Sequence, residues 1–237
     1  LLEKSLLVLE EGITEGRRVF ANIVKYIRMG ASSNFGNMFS VVGASYLLPF
    51  LPMKPVQILA NNLLYDFSQT GIPTDTVDEE LITKPLKWNI VNIKRFMVLI
   101  GPISSIFDYA TFALMWFFFR CSAFLDPGAT AAQKDGLARL FQTGWFVESL
   151  LTQTLIVHII RTRRIPFFGS RASAHLTMTT LIIMAIGAWL PYSPFAENLG
   201  MVPLPAVYWV WIALFLATYS VLTHWVKTRF FNRYGGD

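Results

Sequence analysis

Long apolar stretches alternate with short polar ones along the 237 residues, and their lengths suit membrane-crossing helices. Six such stretches lie near residues 31–48, 56–72, 93–119, 137–160, 175–190 and 206–226. Residues 1–30 are more polar but patterned for a helix: Ile13, Phe20, Ile23, Val24 and Ile27 fall largely on one side, with Arg17, Arg18, Lys25 and Arg28 elsewhere. No proline precedes Pro49, so this helix is expected to run on into the first apolar stretch. About 35 residues at ~1.5 Å each reach roughly 50 Å, beyond a hydrocarbon core of ~30 Å, and a basic stalk should project from the membrane. Pro49, Pro52 and Pro55 predict a tight turn into the second stretch, and Gly101-Pro102 predicts a kink in the third. The expected fold class is all-α: a polytopic membrane bundle of six transmembrane helices with an N-terminal cytoplasmic stalk helix.

Composition supports a membrane protein. The chain is 54% hydrophobic and 15% charged, with a mean hydropathy of +0.46, whereas a soluble domain carries about a quarter charged residues. Sixteen Lys and Arg residues fall in the stalk, at 84–95, at 161–171 and at 227–233, against four (Lys54, Arg120, Lys134, Arg139) on the opposite side, which predicts that both ends are cytoplasmic. Because the basic residues punctuate apolar segments, the net charge of +5 does not indicate nucleic acid. The clusters Arg161/Arg163/Arg164 and Lys227/Arg229/Arg233 most simply obey the positive-inside rule, with anionic lipid headgroups as a further contact. The aromatic runs Trp116–Phe119 and Tyr208–Trp211 read as interface belts and lipid-facing surface. A lone Cys121 excludes an intramolecular disulfide, and His158, His175 and His224, all near cytoplasmic span ends, make no metal motif. The opening Leu1-Leu2-Glu3-Lys4 lacks Met and starts in mid-helix, as expected of a piece of a longer protein.

The candidate chemistry lies inside the spans. The stretch NNLLYDFSQTGIPTD, Asn61–Asp75, places Asn62 and Asp66 four residues apart, so on a helix their oxygens share a face. A central Asp costs about 2.5–3.5 kcal/mol on insertion scales, so it belongs at a bundle interior or wet cavity. Gly71 and Pro73 predict an interrupted helix end beside these groups, freeing backbone carbonyls. Carboxylate, amide and carbonyl oxygens are the ligands of a hard cation. Asn34 and Asn37 share one face of the first span, and interhelical hydrogen bonding or cation ligation would each account for them. The same two readings apply to Glu148 in the fourth span, as a helix-packing acid bonded to Trp145, Thr152 or a neighbour, or as a ligand. Asp108 reads as structural or gating. No Gly-rich phosphate loop, Ser/His/Asp set or paired catalytic acids mark the soluble parts, so nucleotide hydrolysis is not expected of these residues.

The order of these pieces resembles the C-terminal part of P-type cation ATPases. LLVLEEGITEGRRVFANIVKYIRMGASSNFGN is similar to the end of their phosphorylation domain continuing as a stalk into the fifth of ten spans. LPMKPVQILANNLLYDFSQTGIPTD is similar to their sixth span. Together with GPISSIFDYATF and QTGWFVESLLTQTLIVHIIRTRRIPF, these segments most resemble bacterial magnesium-transporting ATPases. The resemblance implies that residues 1–30 are the end of a phosphorylation domain and a stalk, and that 31–237 form a six-span transport domain. It implies metal ligands at Asn34, Asn37, Asn62, Asp66 and Glu148. Asn37 stands where calcium-pumping members carry a glutamate, which suits one partly hydrated ion better than a two-ion calcium site. It further implies magnesium as the transported ion, ATP bound by upstream domains of the same polypeptide, membrane lipids as surroundings, and a bacterial inner-membrane location. The alternatives are a P-type pump for calcium, sodium or protons, a six-span secondary carrier or channel, and a non-catalytic scaffold whose polar groups join helices.

Overall fold

A computed structural model describes residues 6–83 and 86–234, so the opening Leu1–Lys4 and Lys84 of the basic count lie outside the described residues. The described residues are helical, with no strand longer than an isolated bridge between Pro166 and Ser170. Helix α1 runs unbroken over Leu6–Leu47, as the absence of proline requires, and the proline-rich turn delivers α2 at Pro55–Ser68. Beyond Ser68 the chain tightens into a 3-10 segment, Gln69–Thr74, at the expected interruption. A short α3 (Glu79–Thr83) leads to α4 (Ile90–Ala113), which continues through Pro102 and ends in a π-turn over Leu114–Phe118. Helices α5 (Ala131–Ile160), α6 (Ala174–Trp189) and α7 (Ala206–Tyr234) complete the bundle.

Among the described residues, four helical segments are long and apolar enough to cross a membrane: Ile90–Phe118, Ala131–Ile160, Ala174–Tyr192 and Ala206–Tyr234. The stretches 31–48 and 56–72 are not among them. The first is diluted by Ser32, Ser33, Asn34, Asn37 and Ser40, and the α-helical part of the second is only 14 residues long, with Asn61, Asn62 and Asp66 inside it. The polarity that marks these two helices as chemically interesting also lowers their hydropathy.

Helix α5 is the central column. Between Phe141 and Ile160 every residue except Leu155 is buried, and α5 packs against α2, α4, α6 and α7. A capping box sets its start, with Thr130 N donating to Gln133 Oε1 (2.8 Å) and Gln133 N to Thr130 Oγ1 (3.3 Å). Its far end is closed by α7: the fully buried Lys227 ammonium donates to the carbonyls of Ile159 (2.9 Å), Thr162 (3.0 Å) and Arg164 (3.1 Å). Tyr208, expected at a lipid interface, is instead buried, its hydroxyl donating to the Gly144 carbonyl. His158 is likewise interior, its Nε2 paired with Thr180 Oγ1 at 2.7 Å.

Helix α1 packs along α4 at a crossing of small residues. A Cβ on Gly36 would lie 2.7 Å from the Gly101 carbonyl oxygen, and one on Gly101 would lie 2.8 Å from Phe35. Close backbone approach is how helices gain packing energy in lipid, and Ser105 Oγ donates to the Gly36 carbonyl (3.0 Å) across the contact. Gly36→Leu cannot be accommodated and should leave less than about a tenth of the wild-type amount of folded protein in membranes, measured by size-exclusion recovery, whereas Gly12→Leu, in open space, should be recovered normally.

Near Asp75 the charges depart from the expected pattern. The apolar face read for residues 13–27 is only partly the one buried: Val24 is inside and Phe20 and Ile27 are half-buried, but Ile13 and Ile23 are exposed, while Asn22 and Lys25 are inside. The reason is an ion cluster. Lys25 Nζ lies 3.0 Å and Arg161 Nε 2.8 Å from the same Asp75 oxygen, Oδ2, and Ser173 N donates to Oδ1 (3.2 Å). Asn22 Nδ2 donates to the carbonyls of Pro73 and Asp75, and Arg161 also reaches Thr76, Ser170 and Arg171. Arg161 and Lys227 are therefore structural cations, beyond any part in setting topology. Burial tends to raise the Asp75 carboxyl, but the Arg161 hydrogen bond and the Lys25 charge hold it below its ordinary value. For Lys25, burial outweighs the pull of Asp75 and leaves the ammonium below its usual range. With the folded carboxyl depressed, Asp75 contributes stability above its unfolded value near 4, and that contribution is lost as pH falls through the folded one. Asp75→Asn should cost about 3–5 kcal/mol at pH 7 by leaving two buried cations unmatched, and thermal melts should show the gap from wild type narrowing below about pH 4.

Candidate functional site

Helices α1 and α2 face each other across a cavity of about 540 Å³; α1 packs on α4, and α2 on α5 and α6. The cavity wall carries Asn34 and Asn37 from α1, Asn61 and Asn62 from α2, and Trp145 and Ser149 from α5. Met38, Val41, Met53 and Ile58 supply the apolar remainder. Three of the five ligands expected from the sequence, Asn34, Asn37 and Asn62, thus meet at one cavity.

The two acids lie apart from that wall. Asp66 is exposed and borders a second cavity of about 330 Å³ along the same α1–α2 seam, with Asn22, Tyr26, Gln69 and Thr70. Gln69, buried where α2 tightens into the 3-10 segment, leaves both its amide nitrogen and oxygen without partners. Glu148 lines neither cavity. It is fully buried in α5, and neither of its carboxyl oxygens makes a well-directed hydrogen bond. The Trp145 indole donates to Asp108 Oδ1 (2.7 Å), and the Thr152 hydroxyl donates to the Glu148 backbone carbonyl (2.9 Å) while lying beside the Glu148 carboxyl. The Asp108 carboxyl lies beside Glu148 and is also held by Ser40 Oγ at 2.6 Å. Asp108 is thus fixed by Ser40 and Trp145, and the Glu148 carboxyl is set against it with Thr152 alongside. Two buried carboxyls side by side repel when both are ionised, a cost that an arriving cation would offset.

A neutral network joins the helices behind the first cavity. Gln153 Nε2 donates to Ser149 Oγ (2.6 Å), Asn37 Oδ1 (3.1 Å) and Asn61 Oδ1 (3.5 Å), and Ser33 Oγ donates to Gln153 Oε1 (3.1 Å). Asn61 Nδ2 donates to the Phe146 carbonyl (3.3 Å). Sequence reasoning missed Gln153 and Ser149 and left Asn61 out of its ligand set. The signal was available: Glu148, Ser149, Thr152 and Gln153 fall at i, i+1, i+4 and i+5, a polar stripe down one face of a buried helix. Among the described residues no three His, Cys, Asp or Glu side chains cluster as a metal site. What the chain offers a cation here is mainly amide and hydroxyl oxygen, with Asp66 and Glu148 as the nearby charges.

Residues 50–229 match the family model described as cation transporting ATPase, C-terminus. Proteins named magnesium-transporting ATPase, P-type 1, from Salmonella typhimurium and Escherichia coli are each 54% identical over 235 residues, covering 99% of this chain and 25% of theirs. A calcium-transporting ATPase of Bacillus subtilis is 36% identical over 73 residues, 31% of this chain and 8% of its own. The chain therefore spans about a quarter of the length of the magnesium-transporting relatives it matches. The matched stretch takes in Asn61, Asn62, Asp66, Asp108 and Glu148, and by it the chain belongs to the family of cation-transporting ATPase C-terminal regions.

Proposed function

We propose that this chain is the C-terminal transport region of an ATP-driven, magnesium-importing P-type ATPase of the bacterial inner membrane. The observation that carries the reading is the oxygen-lined seam between α1 and α2, in a chain that resembles magnesium-transporting ATPases over nearly its whole length. On this reading residues 31–48 and 56–72 are spans as well, giving six with both ends cytoplasmic, and α1 above them is the stalk. Upstream domains bind ATP and pass their motion down α1. Magnesium from the periplasmic side is held by Asn34, Asn37, Asn62, Asp66 and Glu148 and released to the cytoplasm by alternating access. Amide-rich coordination with few charges suits an ion that keeps several waters, because Mg²⁺ sheds its shell reluctantly. The buried Glu148, set against the Asp108 carboxyl, supplies charge that a cation can neutralise.

Two substitutions in the full-length pump test this assignment. Asp66→Asn should lower magnesium-dependent turnover at least tenfold; wild-type turnover would remove Asp66 from the site. Glu148→Gln should raise the half-saturating magnesium concentration about tenfold while the melting temperature holds or rises, because a neutral isostere replaces one of two adjacent buried acids and can donate to Asp108. A drop in melting temperature with unchanged magnesium dependence would instead mark Glu148 as a packing residue. Replacing Asp66 and Glu148 together with transport retained would favour the scaffold reading. Competition by calcium, sodium and protons in the same assay separates the other pumps.

A further inference from the structure

Gln153 occupies an unusual position among the polar groups. Its single amide nitrogen is surrounded by three side-chain oxygens from three helices, Asn37 Oδ1 of α1, Asn61 Oδ1 of α2 and Ser149 Oγ of α5, at 3.1, 3.5 and 2.6 Å. An amide NH₂ has two hydrogens, so three acceptors exceed what it can satisfy. Convergent oxygens around one electropositive centre are the arrangement a cation needs. The orientation of the amides follows from the backbone. The Phe146 carbonyl can only accept, so Asn61 must turn its nitrogen there and its oxygen toward Gln153. Gln153 must then present its nitrogen to that oxygen, and the Ser33 hydroxyl completes the set by donating to Gln153 Oε1 (3.1 Å). Gln153 is also almost fully buried, so water cannot readily replace its partners.

We propose that Gln153 is a swing ligand that determines cation specificity, an inference that rests on the transport reading above. In the structure its N–H group faces the oxygens of Asn37, Asn61 and Ser149 and competes with a cation for them. A half-turn of the carboxamide exchanges donor for acceptor, adds Oε1 to the converging oxygens and removes the competing hydrogens. An ion must therefore displace the hydrogen bonds that the two Gln153 amide hydrogens make before it gains four oxygens. That condition selects for a strongly polarising cation, such as Mg²⁺ acting directly or through a bound water, over a large weakly polarising one.

The test is steady-state ATPase activity of the full-length pump against magnesium concentration for Gln153→Glu and Gln153→Leu, with membrane expression and melting temperature recorded. Glutamate keeps the shape but offers only acceptors when ionised; leucine offers neither donor nor acceptor. Gln153→Glu should lower the half-saturating magnesium concentration about fivefold and reduce maximal turnover, since release no longer has a returning donor to assist it. It should also admit calcium as a competitor. Gln153→Leu should raise the half-saturating concentration about fivefold. Opposite shifts are the signature, because a residue that merely joined helices would lose expression or turnover in both variants without divergence in magnesium dependence. Shifts in the same direction, or below twofold in both, overturn the proposal. Asp66→Asn and Glu148→Gln assayed alongside tell the two failures apart. If those variants keep wild-type magnesium dependence, the transport-site reading has failed; if they lose it while the Gln153 variants do not diverge, the swing-ligand inference alone falls.

Discussion

Asp75 is one carboxylate shared by two buried cations, and the relative placement of four segments depends on it. Lys25 arrives from α1 and Arg161 from the end of α5, while the Asp75 backbone follows the 3-10 segment and Ser173 opens α6. Each cation alone would be prohibitively placed in a nearly water-free position, so neither helix end can leave the cluster without exposing an unmatched charge. Lys227 acts in a similar way on the other side of the α5 terminus, where three carbonyls take the place of an acid. These contacts fix the lower ends of the helices whose upper parts carry the amides and acids of the seam.

Above that cluster polar groups are distributed unevenly. The residues that bind one another are nearly all neutral, and hydrogen bonds from Ser33, Ser149 and Gln153 link α1 and α5 across the bundle. The charges are kept apart from this lattice: Asp66 at the open seam, and Glu148 inside against Asp108. A site arranged in this way is held together whether or not a cation is bound, because its scaffold does not depend on the groups that would neutralise one.

Much of this organisation could be read from the sequence, and the reasons for the rest are specific. Helix limits followed from proline placement, so α1 runs to Leu47 and α2 begins at Pro55. Asn34, Asn37 and Asn62 were found because amides stand out against apolar neighbours. Gln153 and Ser149 were harder to see, since α5 is apolar enough overall to pass as an ordinary span, and only its angular pattern separates them. Lys25 and Arg161 looked like ordinary topology charges because the partner of both, Asp75, is 50 residues from the first and 86 from the second. Tyr208 was misplaced for a related reason: aromatic residues favour interfaces on average, but this one finds an acceptor in the Gly144 backbone.

The Gly36–Gly101 crossing bears on how the seam can change. With no Cβ on either glycine and a hydrogen bond from Ser105 across the contact, α1 and α4 are held as a close pair. Helix α2 packs instead on α5 and α6. The seam lies where these two packing surfaces part, and the Gln153 hydrogen bonds to Asn37 and Asn61 bridge it, so a change in the seam is borne by those bonds and not by the α1–α4 contact.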